Sequence, residues 1–274
     1  MEIVRHPLAT ATTPVTICPL GDIQWAGDTA DLAYDSLKKH IKACLREKNP
    51  YFVGTGDYID FLSPSNRARL NGANLYDNAI KVIDDAAMRL VNQAFIDFLK
   101  PTKGKWLGLT EGHHWEKTDK GEHSDDVLSK MLGARFLQEL GIILLRWPGG
   151  GRVGILVAHG KGSSAFPWGP LIQLNRIMPH FDLDIFICGH QTKKAVGEVD
   201  RLKFPDDRDV EHRTIKLVGA GGWTKGYISG RRTYISEKLL PPVALGQPII
   251  RIRPEWRKTS TGRKVWEPNI SVEA

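Results

Sequence analysis

Residues 185–192, with the sequence IFICGHQT, are the stretch from which the fold can be inferred. The segment begins as a short apolar run and ends in a glycine followed by His190. Such a run is typical of a buried strand that delivers a polar side chain to the edge of a sheet. Residues 157–160, VAHG, have the same form and end beside His159. Two histidines at neighbouring strand ends favour a metal site.

The same pattern occurs three more times upstream. The segments are 17–24 (ICPLGDIQ), 51–60 (YFVGTGDYID) and 106–114 (WLGLTEGHH). Aspartate is rarely placed in a core unless it is paired. Five strand ends that each stop at aspartate or histidine are therefore difficult to explain by packing alone.

Helical spacing between these strands predicts an α/β chain. We expect helices over residues 29–48, capped by Asp28, and over 77–99, 125–140 and 171–178, with polar residues 61–75 as a long loop. Residues 1–14 are expected to form an irregular arm or a short edge strand. The later part is predicted to be mostly β, with strands over 194–200, 214–218, 233–237 and 248–253 and a last pair around a turn at 260–262.

The chain has 274 residues, of which 41% are hydrophobic and 25% charged. These values are ordinary for a globular protein. We find no linker, repeat or low-complexity break, so we predict a single domain over residues 1–274. Its core would cover about residues 15–220, followed by a β-rich segment over about 221–274.

Three cysteines in apolar contexts indicate reduced, buried thiols. No apolar run is long enough to span a bilayer, and the first residues do not have the apolar stretch of a secretory signal. We therefore expect a soluble, cytoplasmic protein that does not bind membranes. The net charge of +7 favours anionic partners, which include phosphate esters, nucleic acids and acidic surfaces.

Taken together, the five segments resemble the motifs of the calcineurin-like metallophosphoesterases. Those motifs are Asp-x-His, Gly-Asp-x-x-Asp, Gly-Asn-His, His and Gly-His-x-His, and this chain has them in the same order over roughly residues 15–220. The chain looks like a divergent member, with Asp-x-Gln, Gly-His-His and Gly-His-x-Thr variants. The resemblance implies a four-layer α/β/β/α sandwich with a two-metal site on loops at one sheet edge.

The resemblance also implies a role for each motif position. One metal would be held by Asp22 and Gln24, and Asp57 would bridge both metals. The second metal would be held by His113, His159 and His190. His114 would be the catalytic histidine, Asp60 would support its loop, and Thr192 occupies a position that returns to the first metal.

Three positions depart from the family pattern, because Gln24 and Thr192 replace histidines and His113 replaces an asparagine. The second set becomes rich in imidazole, which suits Zn, Fe, Mn or Co. The first set has only oxygen ligands, which suit Mg or Mn and bind more weakly. Thr192 is too short to replace a histidine directly. We expect two divalent ions, manganese above all, with one bound tightly and one exchangeable.

The function implied by the resemblance is hydrolysis of phosphate esters, by a hydroxide that bridges the metals and with His114 as general acid. Phosphodiesters of nucleotides or nucleic acid are favoured by the basic charge, by Arg67 and Arg69, and by tryptophans near the motifs. A solvated loop and rings that shield the motif loops would explain the same residues equally well. The tryptophans in question are Trp25, Trp115, Trp168 and Trp223.

Two other hypotheses remain open. The chain could be a binding or scaffold protein that keeps one structural metal, since the first site has lost both imidazoles. It could also be a hydrolase that uses one metal at the histidine-rich set. Retention of His114 argues against the scaffold, because a scaffold has no use for a free histidine there.

Overall fold

A computed structural model shows a mixed α/β chain with two large β-sheets, and it describes residues 1–73, 75–118, 120–164, 166–206, 209–258, 262 and 264–274. The strands are β1 (Glu2–Pro7), β2 (Val15–Leu20), β3 (Pro50–Gly54), β4 (Trp106–Leu109), β5 (Leu140–Arg146), β6 (Arg152–Ala158), β7 (Ile185–Cys188), β8 (Lys194–Asp206), β9 (Asp209–Ala220), β10 (Ile249–Arg253), β11 (Trp256–Lys258), β12 (Lys264–Trp266) and β13 (Asn269–Glu273). The helices are α1 (Tyr34–Arg46), α2 (Pro64–Asn71), α3 (Asp77–Ala94), α4 (Ser124–Leu132), α5 (Gly169–Ile177) and the single turn α6 (Tyr234–Glu237). The predicted α/β class is confirmed.

The first sheet has the strand order β13-β10-β2-β3-β4. Strands β2, β3 and β4 are parallel, so their carboxyl ends lie at one edge. Strand β10 runs antiparallel to β2, with Ile250 opposite Ile17 and Ile252 opposite Val15. The late part of the chain therefore supplies the inner neighbour of the first motif strand.

The second sheet has the order β1-β5-β6-β7-β9-β8. Strands β6, β7 and β9 are parallel, and β1 pairs with β5 at the sheet edge. Strands β8 and β9 form a long antiparallel hairpin. The small ribbon β11-β12 pairs Trp256 with Trp266, which confirms the predicted last strand pair. Residues 260 and 261 of its predicted turn lie outside the described residues.

Three clusters of buried apolar side chains form the core. One cluster joins residues of both sheets, such as Ile17 of β2 and Ile155 of β6. A second joins the first sheet to α1, α3 and α4, and a third joins the second sheet to α5. The buried cysteines Cys18, Cys44 and Cys188 belong to these layers as free thiols.

Several predicted boundaries were wrong, and each has a local cause. Helix α1 starts at Tyr34, because Asp28 instead accepts a hydrogen bond from the Ala30 amide in a turn. The predicted loop over 61–75 contains α2, which is capped by the Ser63 hydroxyl. Helix α4 ends at Gly133, whose left-handed backbone stops it well before Gly141. Residues 233–237 form a helical turn and not a strand, and β13 was not predicted.

Each of the five motif segments contains the end of a strand, as predicted. The strands β2, β3, β4, β6 and β7 are followed by Asp22, Asp57, His113, His159 and His190. Within the part of the chain that the structure describes, no helix is both long and apolar enough to cross a membrane.

Candidate metal centre

The candidate centre lies where the carboxyl edges of the two sheets meet. The His159 ring, just beyond β6, contacts the Thr55 carbonyl oxygen beyond β3 at 2.6 Å from Nδ1. The His190 amide, just beyond β7, donates to Asp22 Oδ2 beyond β2 at 3.0 Å. These two bonds join the sheets at four motif ends, and the His113 amide beyond β4 adds the fifth by donating to Asp57 Oδ1 at 2.5 Å.

Two motif glycines are required by close approach of the loops. A Cβ at Gly112 would fall 2.1 Å from the Asp57 nitrogen, and a Cβ at Gly189 would fall 2.6 Å from Asp22 Oδ2. Both distances are shorter than any real carbon contact. The glycines in the GHH and GH motifs therefore make room for the two buried aspartates.

Five of the predicted site residues have left-handed backbones. The φ angles are 44° at Asp22, 50° at Gln24, 52° at Asp57, 66° at His190 and 51° at Thr192. Residues other than glycine rarely adopt this conformation, which costs about 1–3 kcal/mol each and tends to cluster at functional sites. The loops therefore carry backbone strain at five predicted site residues, which is typical of a functional site and is not needed for packing of the core.

Three imidazoles form one group of potential ligands. The ring centroids of His113 and His190 are 4.5 Å apart, those of His113 and His159 are 4.6 Å apart, and those of His159 and His190 are 5.0 Å apart. One nitrogen of each ring lies within 4.8 Å of the others. His113 Nδ1 and His190 Nδ1 face each other at 3.2 Å, so at least one of them must be deprotonated.

Two buried carboxylates and His159 form a second, overlapping group. One ligand atom from each of Asp22, Asp57 and His159 also falls within 4.8 Å of the others. Asp22 Oδ1 is buried without a hydrogen-bond partner among the described residues. A buried carboxylate oxygen is costly to leave unpaired, and a bound cation is one of the few groups that can satisfy it. The residues present therefore fit a divalent metal.

The charges within these groups depend on one another. Burial raises the pKa of Asp22 to about 8, against the opposing effect of His159. Burial would also raise the pKa of Asp57, but its contacts with His159, 3.3 Å away, hold that pKa well below its usual range. The same carboxylate outweighs burial at His159 and raises its pKa to about 9. Burial and the neighbouring His159 lower the pKa of His190 to about 4.

His114 lies beside these groups and belongs to neither of them. Its Nδ1 is 2.7 Å from Asp60 Oδ1, and this hydrogen bond raises the pKa of His114 despite partial burial. Its backbone amide, together with that of His113, donates to Asp57 Oδ1. Asp60 thus orients the predicted catalytic histidine directly.

Gln24 and Thr192 are the two predicted site positions that lack the histidine of the motifs that the sequence resembles. Gln24 Oε1 accepts a hydrogen bond from the Thr224 hydroxyl at 2.8 Å. Thr192 lies across Gly222 from Asp22, since a Cβ at that glycine would be 3.1 Å from Thr192 Cβ and 3.2 Å from Asp22 Cβ. The Thr192 side chain is therefore near Asp22, whereas the Gln24 oxygen already has one protein partner.

Arg67 and Arg69 have different environments although both lie on α2. The Arg67 guanidinium donates to the carbonyl oxygens of Leu62, His113 and Trp115, and it lies 4.0 Å from the centroid of the Trp115 ring. Arg69 is exposed. The Arg67 donors therefore hold the loop that carries His113 and His114, and a role of either arginine in binding a substrate phosphate stays a prediction.

The four tryptophans near the motifs have different environments. Trp25 and Trp223 are buried in the helix-covered core of the first sheet. Trp115 lies between the Arg67 guanidinium and the His123 ring, which stacks on it at 3.9 Å. Trp168 alone of the four stands exposed, beside Phe166.

Two positioning residues were missed by the sequence analysis. Buried Asp125 on α4 accepts a hydrogen bond from the Gly112 amide at 2.9 Å. The Gln247 side chain bonds both the amide and the carbonyl of Gly21, beside Asp22. No local pattern distinguishes these residues, because their partners are distant in the sequence.

Comparison with known proteins identifies no close relative. No protein-family model matches the sequence, and no curated protein does either. A crystal structure of Chaetomium thermophilum Vps29 is 13% identical, over 96% of this chain and 98% of that one, with a TM-score of 0.32. A second, of Chaetomium thermophilum Vps29 with a RaPID-derived cyclic peptide, is 14% identical over 62% and 82%, with a TM-score of 0.24. Likenesses this weak carry no functional argument, so the interpretation of the centre depends on its own geometry.

Proposed function

We propose that this protein is a metal-dependent phosphoesterase that acts on phosphodiesters. The observation that carries the proposal is the pair of overlapping ligand groups, which share His159 and lie beside a histidine that belongs to neither group. A structural metal site would need the ligands alone. A free histidine oriented by Asp60 is the additional part that hydrolysis requires.

Two divalent ions would be held by this chain, with manganese favoured. His113, His159 and His190 would hold one ion, and Asp22, Asp57 and Gln24 the other, with Asp57 contributing to both. When bound, such ions lower the pKa of water and offset negative charge on phosphoryl oxygens. The unpartnered Asp22 Oδ1 supports the carboxylate set, and the three clustered imidazoles support the other.

His114 would act as the general acid. Its Nδ1 contacts Asp60, which leaves Nε2 to donate a proton to the leaving alkoxide oxygen. The hydrogen bond to the Asp60 carboxylate raises the pKa of His114 and so favours the protonated ring that a general acid needs. Because Asp57 Oδ1 holds the backbone amide of His114, the acid has a fixed position relative to the carboxylate group.

We further propose that the layers are those of an α/β/β/α sandwich. The support is the arrangement of the core, in which one cluster joins the two sheets and two further clusters join each sheet to its helices.

A binding protein with one structural metal is the second candidate. The observation that favours it is the hydrogen bond between Gln24 Oε1 and Thr224, which weakens the oxygen-rich set as a metal site. A hydrolase with a single metal at the three histidines lies between the two candidates.

The test is hydrolysis by metal-free protein titrated with Mn²⁺, with bound metal counted per chain. The substrates are bis-p-nitrophenyl phosphate, p-nitrophenyl phosphate and single-stranded DNA. The variants are Asp57→Asn and His114→Ala, with exposed His180→Ala as the matched control. We expect His114→Ala to lower kcat by about 10²–10⁴-fold while metal binding is kept.

Turnover that rises with a second equivalent of Mn²⁺ and is lost in both variants would support the two-metal esterase. Turnover complete at one equivalent would favour the single-metal hydrolase. Tight binding of one metal without turnover of any substrate would contradict the esterase and favour the binding protein.

A further inference from the structure

Phe166 and Trp168 form an exposed aromatic pair on the loop between His159 and α5. Their side chains are 57% and 53% exposed, their ring centroids are 5.5 Å apart, and their planes differ by only 11°. Large aromatic rings contribute most when buried, so two stacked rings left in solvent are unusual for a surface without a binding role.

The pair is attached to the segment that carries His190. Lys193 Nζ donates to the carbonyl oxygens of Ser164 and Phe166. Gly169, which follows Trp168 directly, packs against Gln191, because a Cβ there would fall 2.4 Å from Gln191 Oε1. The loop that carries the rings is therefore joined to the segment that directly follows His190.

Two lysines add positive charge to these segments, Lys161 two residues after His159 and Lys193 three residues after His190. Lys161 is exposed, and it lies close enough to His113 that its charge contributes, after burial and His159, to that ring's low pKa. The contacts that hold Lys193 in the loop are made to backbone carbonyls, which leave its positive charge in place. In proteins that bind single-stranded nucleic acid, cations contact the phosphates and exposed aromatic rings stack on the bases.

We propose that Phe166, Trp168, Lys161 and Lys193 form a platform on which a base of a single-stranded nucleic acid stacks next to the metal centre. The proposal rests on the proposed phosphodiesterase function and names its substrate class. A flexible single strand can place a base on the rings and a neighbouring phosphodiester at the centre. An apolar protein segment is the competing occupant, and the basic surroundings favour the nucleic acid.

The experiment compares a short oligothymidylate with an abasic oligomer of equal length, which carries the same phosphodiesters without bases. Binding to the manganese-loaded protein is followed by fluorescence anisotropy at fixed salt, and hydrolysis is measured in parallel. The variants are Trp168→Ala, Phe166→Ala and the ring-preserving Trp168→Phe. Trp256→Ala, on the β11-β12 ribbon, is the matched control.

We expect Trp168→Ala to weaken binding of oligothymidylate roughly 5- to 150-fold, the usual range for loss of one stacked base, and to leave the abasic oligomer unchanged. Trp168→Phe and Trp256→Ala should retain wild-type preference. Equal binding of both oligomers by the wild type, or equal losses in the variants, would overturn the proposal and leave a protein segment as the occupant. Because the binding measurement needs no turnover, it distinguishes failure of the platform from failure of the esterase, which bis-p-nitrophenyl phosphate tests separately.

Discussion

The left-handed backbone at Thr192 gives a test at the scale of one residue. A β-branched side chain is strongly disfavoured there, whereas asparagine and histidine tolerate it better. We expect Thr192→Asn to raise the free energy of unfolding of the metal-free protein by about 1 kcal/mol through relief of strain. Urea denaturation of the metal-free variants measures this change.

Thr192→His should give a similar gain in stability and also place an imidazole near Asp22. Calorimetric titration with Mn²⁺ should then show tighter binding of the second equivalent in Thr192→His but not in Thr192→Asn. If both variants bind the second equivalent as the wild type does, position 192 does not face the carboxylate group.

The candidate ligands and the supporting residue Asp60 could be selected from the sequence, whereas the supporting residues Asp125 and Gln247 could not. Asp22, Asp57 and His190 each follow an apolar run and a glycine. Such a run predicts a buried strand and the position of its end without knowledge of the rest of the fold. Asp125 and Gln247 act through hydrogen bonds to Gly112 and Gly21. The partners are not neighbours in the sequence, so no local pattern predicts that they are paired. The metal-binding roles themselves stay predictions.

At the scale of elements, helix α2 braces the loop of His113 and His114 through Arg67. Arg67→Lys keeps the charge but cannot reach three carbonyl oxygens in fork geometry. We expect it to lower kcat about tenfold or more, because a displacement of about 1 Å at a catalytic group has large effects. KM should change little, since Arg67 is bonded to backbone and not to substrate.

The matched control is Arg69→Lys, on the same helix and exposed. A rise in KM with unchanged kcat in Arg67→Lys would contradict the role of Arg67 in holding the loop. It would favour direct binding of a substrate phosphate by Arg67.

The two glycines that end helices α2 and α4 should respond in opposite ways to alanine. Gly133 has φ of 72°, and a Cβ there would have no neighbouring atom within 4 Å, so Gly133→Ala adds backbone strain alone. We expect a loss of about 1 kcal/mol or more in the free energy of unfolding. Gly72 has φ of −84°, and Gly72→Ala should be neutral or stabilising. The urea midpoints of Gly133→Ala and Gly72→Ala measure the two effects. Equal shifts would contradict the claim that the left-handed backbone at Gly133 requires glycine.

Helix positions were predictable from apolar spacing, but their ends depended on single residues. The sequence alone did not identify Gly133 and Ser63 as helix ends. The structure shows that the left-handed backbone of Gly133 ends α4 and that the Ser63 side chain caps α2. A polar stretch with weak apolar spacing, such as 61–75, favours a loop unless the cap is recognised.

At the scale of the whole molecule, a bidentate ion pair joins Glu47, the residue that follows α1, to Arg251 of β10. Arg251 donates to both carboxylate oxygens of Glu47, and this hydrogen bonding lowers the pKa of Glu47 despite slight burial. A lowered folded-state pKa means that the contribution is fully present above the unfolded pKa and is lost as pH falls through the folded value. We expect Glu47→Gln to cost at most about 1 kcal/mol at neutral pH, because both groups are partly exposed.

Urea denaturation over a range of pH checks this expectation. The stability of Glu47→Gln and wild type should converge in acid, whereas Glu237→Gln, from a more exposed pair with Arg232, should follow the wild type throughout. A difference for Glu47→Gln that persists below the folded pKa would point to packing and not to charge.

The α/β class followed from local patterns, but the sheet order did not. Nothing in residues 249–253 indicates that this strand pairs with β2 and not with its neighbours in sequence, since apolar alternation does not specify a partner. The single domain over residues 1–274 stays a prediction.

The pairing of β10 with β2, together with the bonds from Gln247 to Gly21, sets the order of events during synthesis. All the candidate ligands emerge from the ribosome before the strand that flanks Asp22 has been made. Contacts between partners so far apart are slow to form. A nascent chain arrested before residue 247 would therefore expose the open edge of β2 to other chains, and the cell would have to protect that edge until the strand arrives.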